Sequence, residues 1–222
     1  SVIIVMAIGA GAQALILNEI QSIGSNLIGV LPGASDEKGP PAAVFGVVVT
    51  TLKYDDLQAL LKNKNVPNVV AASGYVTGSA TVSYEENSFA LNFQGVSSDL
   101  PNVEKVTLKS GRFFSKEEET NLARVAVLGN NRASGLFPNV DPVGKIITLK
   151  NLNFTVIGVM EKKGSSAFSN PDDTIFVPLL TGQKLLLGIN YLNFIRVKID
   201  SEDNLDRAVV NVKSTLREQH RI

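Results

Sequence analysis

Residues 194–216 read FIRVKIDSEDNLDRAVVNVKSTL, a strand pattern followed directly by a helix pattern. Apolar and polar residues alternate from Phe194 to Ile199, which is typical of a strand with one buried face. Ser201 is a favoured N-cap residue, and an apolar stripe at helical spacing follows it. The stripe consists of Leu205, Ala208, Val209, Val212 and Leu216. The chain is therefore expected to close with a strand and an amphipathic helix.

A similar unit occurs nearer the start of the chain. Residues 47–51 are β-branched, Thr51 can cap a helix over residues 53–63, and residues 69–75 supply another strand. The predicted helix has one apolar face, formed by Tyr54, Leu57, Leu60 and Leu61. Residues 27–31 predict a short strand that stops at Pro32-Gly33. We expect strands from both chain ends to share one sheet, with the helices on one of its faces.

Between these units the sequence changes to short strand patterns separated by turn residues. The strand patterns cover residues 77–84, 88–96, 124–128, 145–149 and 154–160. Turn signals lie at Glu86-Asn87, at Asp141-Pro142 and at residues 151–153. The pattern predicts an α+β fold, in which residues 1–76 and 176–222 build an α/β base and residues 77–175 form an inserted β-rich subdomain. Chain ends that meet in the base suit a domain placed between two membrane helices.

The densest acidic run, Glu117, Glu118 and Glu119, follows a helix signal. Ser115 and Glu118 have the spacing of a capping box, which predicts one short helix over residues 116–122. Negative charge is favourable at a helix N-terminus, and neighbouring helix residues point in different directions. Asp172 and Asp173 follow a proline and predict a turn that enters a strand. We therefore expect neither group to form a metal or acid–base site.

The opening residues 1–8 read SVIIVMAI, with seven apolar residues and no charge. This run is far shorter than the roughly 20 residues that span a bilayer, and no basic segment precedes it as in a signal peptide. A buried core helix would also explain the run. Residues 9–24 then become amphipathic, as a helix does when it leaves a membrane. We expect residues 1–24 to include the end of a first transmembrane helix.

The composition argues against several classes of function. Lys plus Arg and Asp plus Glu are both 21, so the chain has no basic excess for binding nucleic acid. Cysteine is absent, and the one histidine, His220, is expected to be solvated. Ser165 and Ser166 have no neighbouring histidine to activate them, and no P-loop motif is present. We expect no catalytic residue, no cofactor and no metal, and hence a domain that is not an enzyme.

Several short motifs follow one another along nearly the whole chain. Residues 7–33 contain Ile23-Gly24-Ser25-Asn26-Leu27 and then Pro32-Gly33, and Ser110-Gly111-Arg112-Phe113-Phe114 contains a G-R-x-F element. Further elements are residues 125–129 with Leu136-Phe137, Asp141-Pro142-Val143-Gly144-Lys145, and residues 154–159, 173–178 and 216–222. In this order the motifs resemble those of the MacB-like periplasmic core domain of ABC transporter permeases, the macrolide-exporter and lipoprotein-release type, and residues 7–33 resemble its start.

The resemblance implies a porter subdomain for the base and a sabre subdomain for the insert. It also implies a cell (inner) membrane permease with four transmembrane helices that works as a homodimer with a cytoplasmic ATPase subunit or domain. A membrane-fusion protein is a further implied partner. The domain would lie on the extracytoplasmic side and either transmit ATP-driven motion during export or, alternatively, bind or sense a peptide, antibiotic or lipid-linked molecule directly.

Seven motif residues are the structural candidates that follow from the resemblance. They are Gly24, Asn26, Gly111, Arg112, Asp141, Pro142 and Gly144. The three glycines are expected to supply turns that other residues would strain. Arg112 is expected to pin the insert to its neighbours.

Overall fold

The computed structural model describes residues 26–33, 49–164 and 170–221. The strands in these ranges are β1 (Leu27–Val30), β2 (Val69–Tyr84), β3 (Asn87–Val96), β4 (Leu108–Gly111), β5 (Val125–Leu128), β6 (Ile146–Leu149), β7 (Leu152–Met160), β8 (Ile175–Pro178) and β9 (Phe194–Ile199). The α-helices are α1 (Tyr54–Leu60), α2 (Leu100–Val103), α3 (Lys116–Thr120), α4 (Asn130–Leu136), α5 (Leu179–Thr181) and α6 (Leu205–His220). A π-helix, Gly182–Leu187, continues α5, and two 3₁₀ helices cover Pro171–Asp173 and Glu202–Asn204.

The described strands form one mixed sheet in the order β1-β9-β2-β3-β8-β5-β7-β4, and β6 pairs with both β2 and β7. The β3–β8 and β5–β7 pairs are parallel, while the other pairs are antiparallel. Strands from the two ends of the chain are neighbours, since β9 lies between β1 and β2. The predicted α+β class and the shared sheet are confirmed.

Helices α1 and α6 pack on the same face of β1, β9 and β2. Leu57 and Leu60 of α1 and Ala208 and Val212 of α6 are buried there. They join the alternate residues of β9, namely Ile195, Val197 and Ile199. This packing confirms the prediction that the helices of the two terminal units lie on one face of the sheet.

The start of α1 differs from the prediction. Its N-cap residue is Lys53, and the backbone N–H of Lys53 donates a hydrogen bond of 2.7 Å to the carboxylate of Asp56. Thr51 is therefore not the cap, and the helix ends at Leu60 instead of continuing to residue 63. Residues 49–51 are not part of a strand, which corrects the described portion of the strand predicted at 47–51.

Strand β2 is longer than predicted, because residues 69–75 and 77–84 form one strand of 16 residues. Val76 between them is fully buried and continues the alternation. At Gly78 a Cβ would lie 2.6 Å from Leu187 and 2.7 Å from Phe93, so the missing side chain allows close packing. Strand β2 pairs with β9 in its first half and with β3 and β6 further along.

Three clusters of buried apolar residues lie along this sheet. One joins the base helices to β9, and a second joins β5, β6, β7 and β8 with α4 around Phe93 and Phe154. A third surrounds Tyr75, Val96 and Phe114. Strand β2 contributes residues to all three clusters. The division into a base and an insert at residues 77–175 stays a prediction.

The predicted capping box at Ser115 and Glu118 is confirmed, with both of its hydrogen bonds present. Helix α3 ends at Thr120, two residues before the predicted end, and Leu122 adopts a positive φ of 56°. The β6–β7 hairpin turns at Lys150 and Asn151, both at positive φ, where a turn was predicted over residues 151–153.

None of the helices in the described ranges is long and apolar enough to cross a membrane. The predicted end of a transmembrane helix at residues 1–24 lies outside the described residues, as do Ser165 and Ser166.

Candidate functional site

The structure places the predicted motif residues at three separate positions. Gly24 lies outside the described residues. Asn26 precedes β1 and ties it to the end of β9, since its side-chain amide donates to the carbonyl of Ile199 and its own carbonyl accepts from the Ile199 N–H at 2.9 Å. This contact fixes the register of the edge strand.

Gly111 and Arg112 lie where β4 leaves β7. Gly111 has a φ of +74°, and a Cβ at this position would overlap the carbonyl oxygen of Ile157. The Arg112 guanidinium donates to both carboxylate oxygens of Glu118, at 2.7 and 2.8 Å. This hydrogen bonding lowers the pKa of Glu118 to about 2. The ion pair joins residues only six apart, whereas the backbone N–H of Arg112 donates to Ile157 of β7 at 2.9 Å. The predicted role of Arg112 in pinning the insert to its neighbours stays a prediction.

Asp141, Pro142 and Gly144 form the turn that leads into β6. The Asp141 carboxylate accepts from the Val143 N–H at 3.0 Å, and the Pro142 carbonyl accepts from the Lys145 N–H at 3.0 Å. Gly144 has a φ of +86°, which L-residues with side chains rarely adopt. Its N–H donates to Val156 at 2.8 Å, so the turn is attached to β7.

A different group of polar residues meets at the first turn of α1, where sequence reasoning placed no site. Asp56 is 3% exposed and faces the last residue of α6, His220. Nε2 of His220 lies 3.0 Å from each carboxylate oxygen of Asp56. The prediction that His220 is a solvated residue is therefore wrong, because its ring links the end of α6 to the start of α1.

Tyr54, two residues before Asp56, contacts the helix of the capping box. Its hydroxyl donates to Glu119 of α3 at 3.4 Å and accepts from the Lys116 ammonium at 2.9 Å. Glu119 is fully buried and accepts from both the N–H and the hydroxyl of Ser98, at 2.9 and 2.8 Å. Lys116 also pairs with Glu119 at 3.4 Å. A buried carboxylate needs such partners, and these four groups supply them.

A third polar contact lies on the opposite face of β2. A Cβ at Gly74 would meet Leu57 of α1 at 3.3 Å, so the next residue, Tyr75, points to the other face. Glu104, which follows α2, accepts from the Tyr75 hydroxyl and pairs with Arg196 of β9. Burial, and secondarily the Glu104 charge, raises the pKa of Tyr75 well above its ordinary value.

The first turn of α1 is thus a junction between two parts of the chain. Asp56 connects it to the C-terminal helix, and Tyr54 connects it to α3 within residues 77–175. Sequence reasoning treated Glu119 as one of three helix-start charges and missed its burial. Three consecutive glutamates carry no local signal of which one is buried, because the partners of Glu119, Tyr54 and Ser98, are distant in sequence.

The described residues contain no group of three or more His, Cys, Asp or Glu side chains that could hold a metal ion. An open surface cleft of about 550 Å³ lies beside the π-helix. It is lined by Thr50, Lys184, Gly188, Ile189, Asn190 and Tyr191.

The sequence model of the MacB-like periplasmic core domain matches residues 1–215 of this chain. A protein of Chlorobaculum tepidum, named macrolide export ATP-binding/permease protein MacB, is 35% identical over 223 residues. The alignment covers 100% of this chain and 34% of that relative. The chain thus spans about a third of the length of the curated relatives it matches.

Two solved structures have the same fold. The periplasmic region of MacB from Actinobacillus actinomycetemcomitans superposes with a TM-score of 0.76 at 23% identity, covering 92% of this chain and 89% of that one. The extracellular domain of the ABC-type transporter YknZ from Gram-positive bacteria gives a TM-score of 0.70 at 22% identity, covering 88% and 95% of the two chains.

Proposed function

The chain belongs to the MacB-like periplasmic core domain family, and we propose that it is the extracytoplasmic domain of an ABC transporter permease that transmits ATP-driven motion outward during export. Its place is the outer side of the inner membrane. The proposed partners are its own transmembrane helices, a cytoplasmic ATPase subunit or domain, a second copy of the permease and a membrane-fusion protein. A macrolide is the first substrate to test, because the relatives are named as macrolide export proteins.

The observation that carries this proposal is the junction at the first turn of α1. Tyr54 and Asp56 are two residues apart on one helical turn, so their positions relative to each other are fixed by the backbone. One binds Glu119 of α3, and the other binds His220 at the end of α6. A displacement of the end of α6 would therefore reach α3 through a single rigid turn, without passing through a loop.

Burial makes this connection stiff. Asp56 and Glu119 are both removed from water, and each accepts several hydrogen bonds. Leaving such a carboxylate without partners is costly, so separating either pair is opposed more strongly than separating an exposed ion pair. Glu104 adds an attachment on the other face of β2, so residues 77–175 are held to the base from both sides.

The experiment measures coupling in the whole permease with the variant Asp56→Asn. We expect ATP hydrolysis to remain while the amount of erythromycin exported per ATP falls several-fold. Asp55→Asn is the matched control, since Asp55 lies on the same turn, carries the same charge and is exposed. If Asp56→Asn exports as much per ATP as the Asp55→Asn control, this transmission path is wrong.

Direct capture of a substrate is the second candidate, and the cleft beside the π-helix favours it. π-Helical turns occur frequently at functional sites. Isothermal titration with erythromycin, comparing the wild-type chain with Lys184→Ala, tests this role. If neither protein releases or absorbs heat on titration with erythromycin while the whole permease still exports it, the domain transmits motion and does not bind the substrate.

A further inference from the structure

Positive charges follow the exposed face of α6 and continue to the residue after it. Lys213 and Arg217 of α6 and the C-cap residue Arg221 follow one another at intervals of four residues and are all exposed. Val210, which is 65% exposed, lies on the same face at the spacing that places it beside this row. We call Lys213, Arg217 and Arg221 the basic row.

Local helix energetics explain only part of the basic row. Positive charge at the C-terminal end of a helix is favourable because of the helix dipole, which accounts for Arg217 in the last turn and for Arg221 at the C-cap. Like charges four residues apart repel one another. Lys213 also lies before the last turn of α6, where the helix dipole has little effect. Within the described residues no carboxylate forms an ion pair with any of the three. Glu218 is near them in sequence, and Asp206 lies towards the start of the helix.

The packing of α6 leaves the basic row free. Ala208, Val212 and Thr215 face the base, and His220 faces Asp56. Lys213, Arg217 and Arg221 are exposed and lie opposite Ala208, Val212 and Thr215, so they can bind a partner while α6 stays packed on the sheet. A partner for this row must be anionic, and it must lie beside the C-terminal end of α6.

We propose that the basic row contacts the headgroups of anionic phospholipids. This inference rests on the proposed function, in which the domain is joined to the permease's own transmembrane helices, and it places Arg221 at the membrane surface with α6 pointing away from it. At 1.5 Å per residue, Arg217 lies about 6 Å and Lys213 about 12 Å from Arg221 along the axis. The headgroup layer is roughly 5–8 Å thick on each side, and charges act over a further 8 Å or so at physiological salt. All three side chains are within that reach, whereas Arg207 lies about 21 Å from Arg221 and is beyond it.

The experiment attaches the chain to vesicles through a hexahistidine tag placed after Ile222. The vesicles contain a constant fraction of nickel-chelating lipid in phosphatidylcholine, with or without phosphatidylglycerol at about a third of the lipid. Because the chain has no cysteine, Ser214→Cys gives a single site for an environment-sensitive fluorophore on the exposed face of α6. The fluorescence lifetime reports the ratio of headgroup-bound to free α6.

We expect phosphatidylglycerol to raise that ratio by at least fivefold, the effect of one basic side chain at an anionic surface. Arg217→Glu should return the ratio to the level on phosphatidylcholine. Arg207→Glu makes the same charge change on the same helix. It should leave the ratio within about twofold of the wild-type value, because Arg207 lies too far from the headgroups. Raising the salt to 0.5 M should weaken the effect for the wild-type chain.

An equal ratio on both kinds of vesicle would overturn the proposal. So would an equal loss from Arg207→Glu and Arg217→Glu, which would indicate a non-specific charge effect. Neither result bears on transmission through Asp56, because that test measures export per ATP in the whole permease.

Discussion

Nε2 of His220 lies 3.0 Å from both carboxylate oxygens of Asp56, although the two residues are 164 positions apart. A carboxylate only accepts hydrogen bonds, so the imidazole N–H donates here. A double-mutant cycle with Asp56→Asn and His220→Gln should give a coupling free energy of about 1 kcal/mol. Urea denaturation of the four proteins at pH 7 measures it. The same cycle with Asp55→Asn should give about zero, and a zero for Asp56 as well would show that the contact adds no stability.

Glu119→Ala should destabilise the chain by about 2–3 kcal/mol, because it leaves the part-buried N–H and hydroxyl of Ser98 without an acceptor and removes a fully buried side chain. Tyr54→Phe removes the 3.4 Å hydrogen bond to Glu119 and the 2.9 Å hydrogen bond from Lys116, but it leaves Glu119 its bonds from Ser98 and should cost about 1 kcal/mol. Glu117→Ala is the matched control, since Glu117 is an exposed carboxylate on the same helix. Thermal unfolding of the three variants compares them. Equal losses of stability for Glu117→Ala and Glu119→Ala would show that the buried position of Glu119 does not increase its contribution to stability.

The ion pair of Arg112 and Glu118 predicts a pH-dependent stability. The pKa of Glu118 is about 2 in the folded chain, below its ordinary value of 4.5, chiefly because Arg112 hydrogen-bonds to the ionised form. The pair therefore stabilises the fold above about pH 4.5, and this contribution is lost as the pH falls towards 2.

Arg112→Gln should accordingly cost about 0.5–1 kcal/mol at pH 7, a value that allows for solvent screening of an exposed pair. The difference from wild type should shrink steadily in urea titrations between pH 4.5 and pH 2.5. Lys109→Gln, a charge removal on the adjacent strand, should show no such trend. A cost of Arg112→Gln that is the same at all these pH values would refute the assignment.

Gly111 and Gly144 both have positive φ, but only Gly111 is also crowded. Gly144→Ala should cost about 1 kcal/mol for backbone strain alone. Gly111→Ala should cost at least about 2 kcal/mol more, since its Cβ would overlap the backbone of Ile157 and Gly158. Chemical denaturation of both variants checks the difference. Similar costs would mean that β7 moves aside readily.

The predicted elements succeeded where the signal was local. The alternation at Phe194–Ile199, the apolar stripe of α6 and the capping box at Ser115 depend on residues a few positions apart, and all three are confirmed. Residues 69–75 and 77–84 were predicted as two strands, one in the base and one in the insert, whereas pairing with β9 and β3 makes them one strand. Sequence spacing alone does not report such partners.

The polar junction at α1 lay beyond sequence reasoning for a similar reason. Glu119 lies 65 residues from Tyr54, and His220 lies 164 from Asp56. Asp and Glu side chains are usually exposed, so the sequence alone predicts that Asp56 and Glu119 lie in solvent. The turns at Gly111 and Gly144 were proposed from the resemblance, and their positive φ values give those two positions a physical reason.

The uninterrupted course of β2 sets a rule for exchanging residues 77–175 between relatives. In a strand, adding or deleting one residue turns every later side chain to the opposite face. Here that change would bring Thr81 and Ser83 to the buried side and expose Val82. A hybrid chain should therefore keep the number of residues between Tyr75 and Tyr84, or change it only in pairs, with the same adjustment in β3.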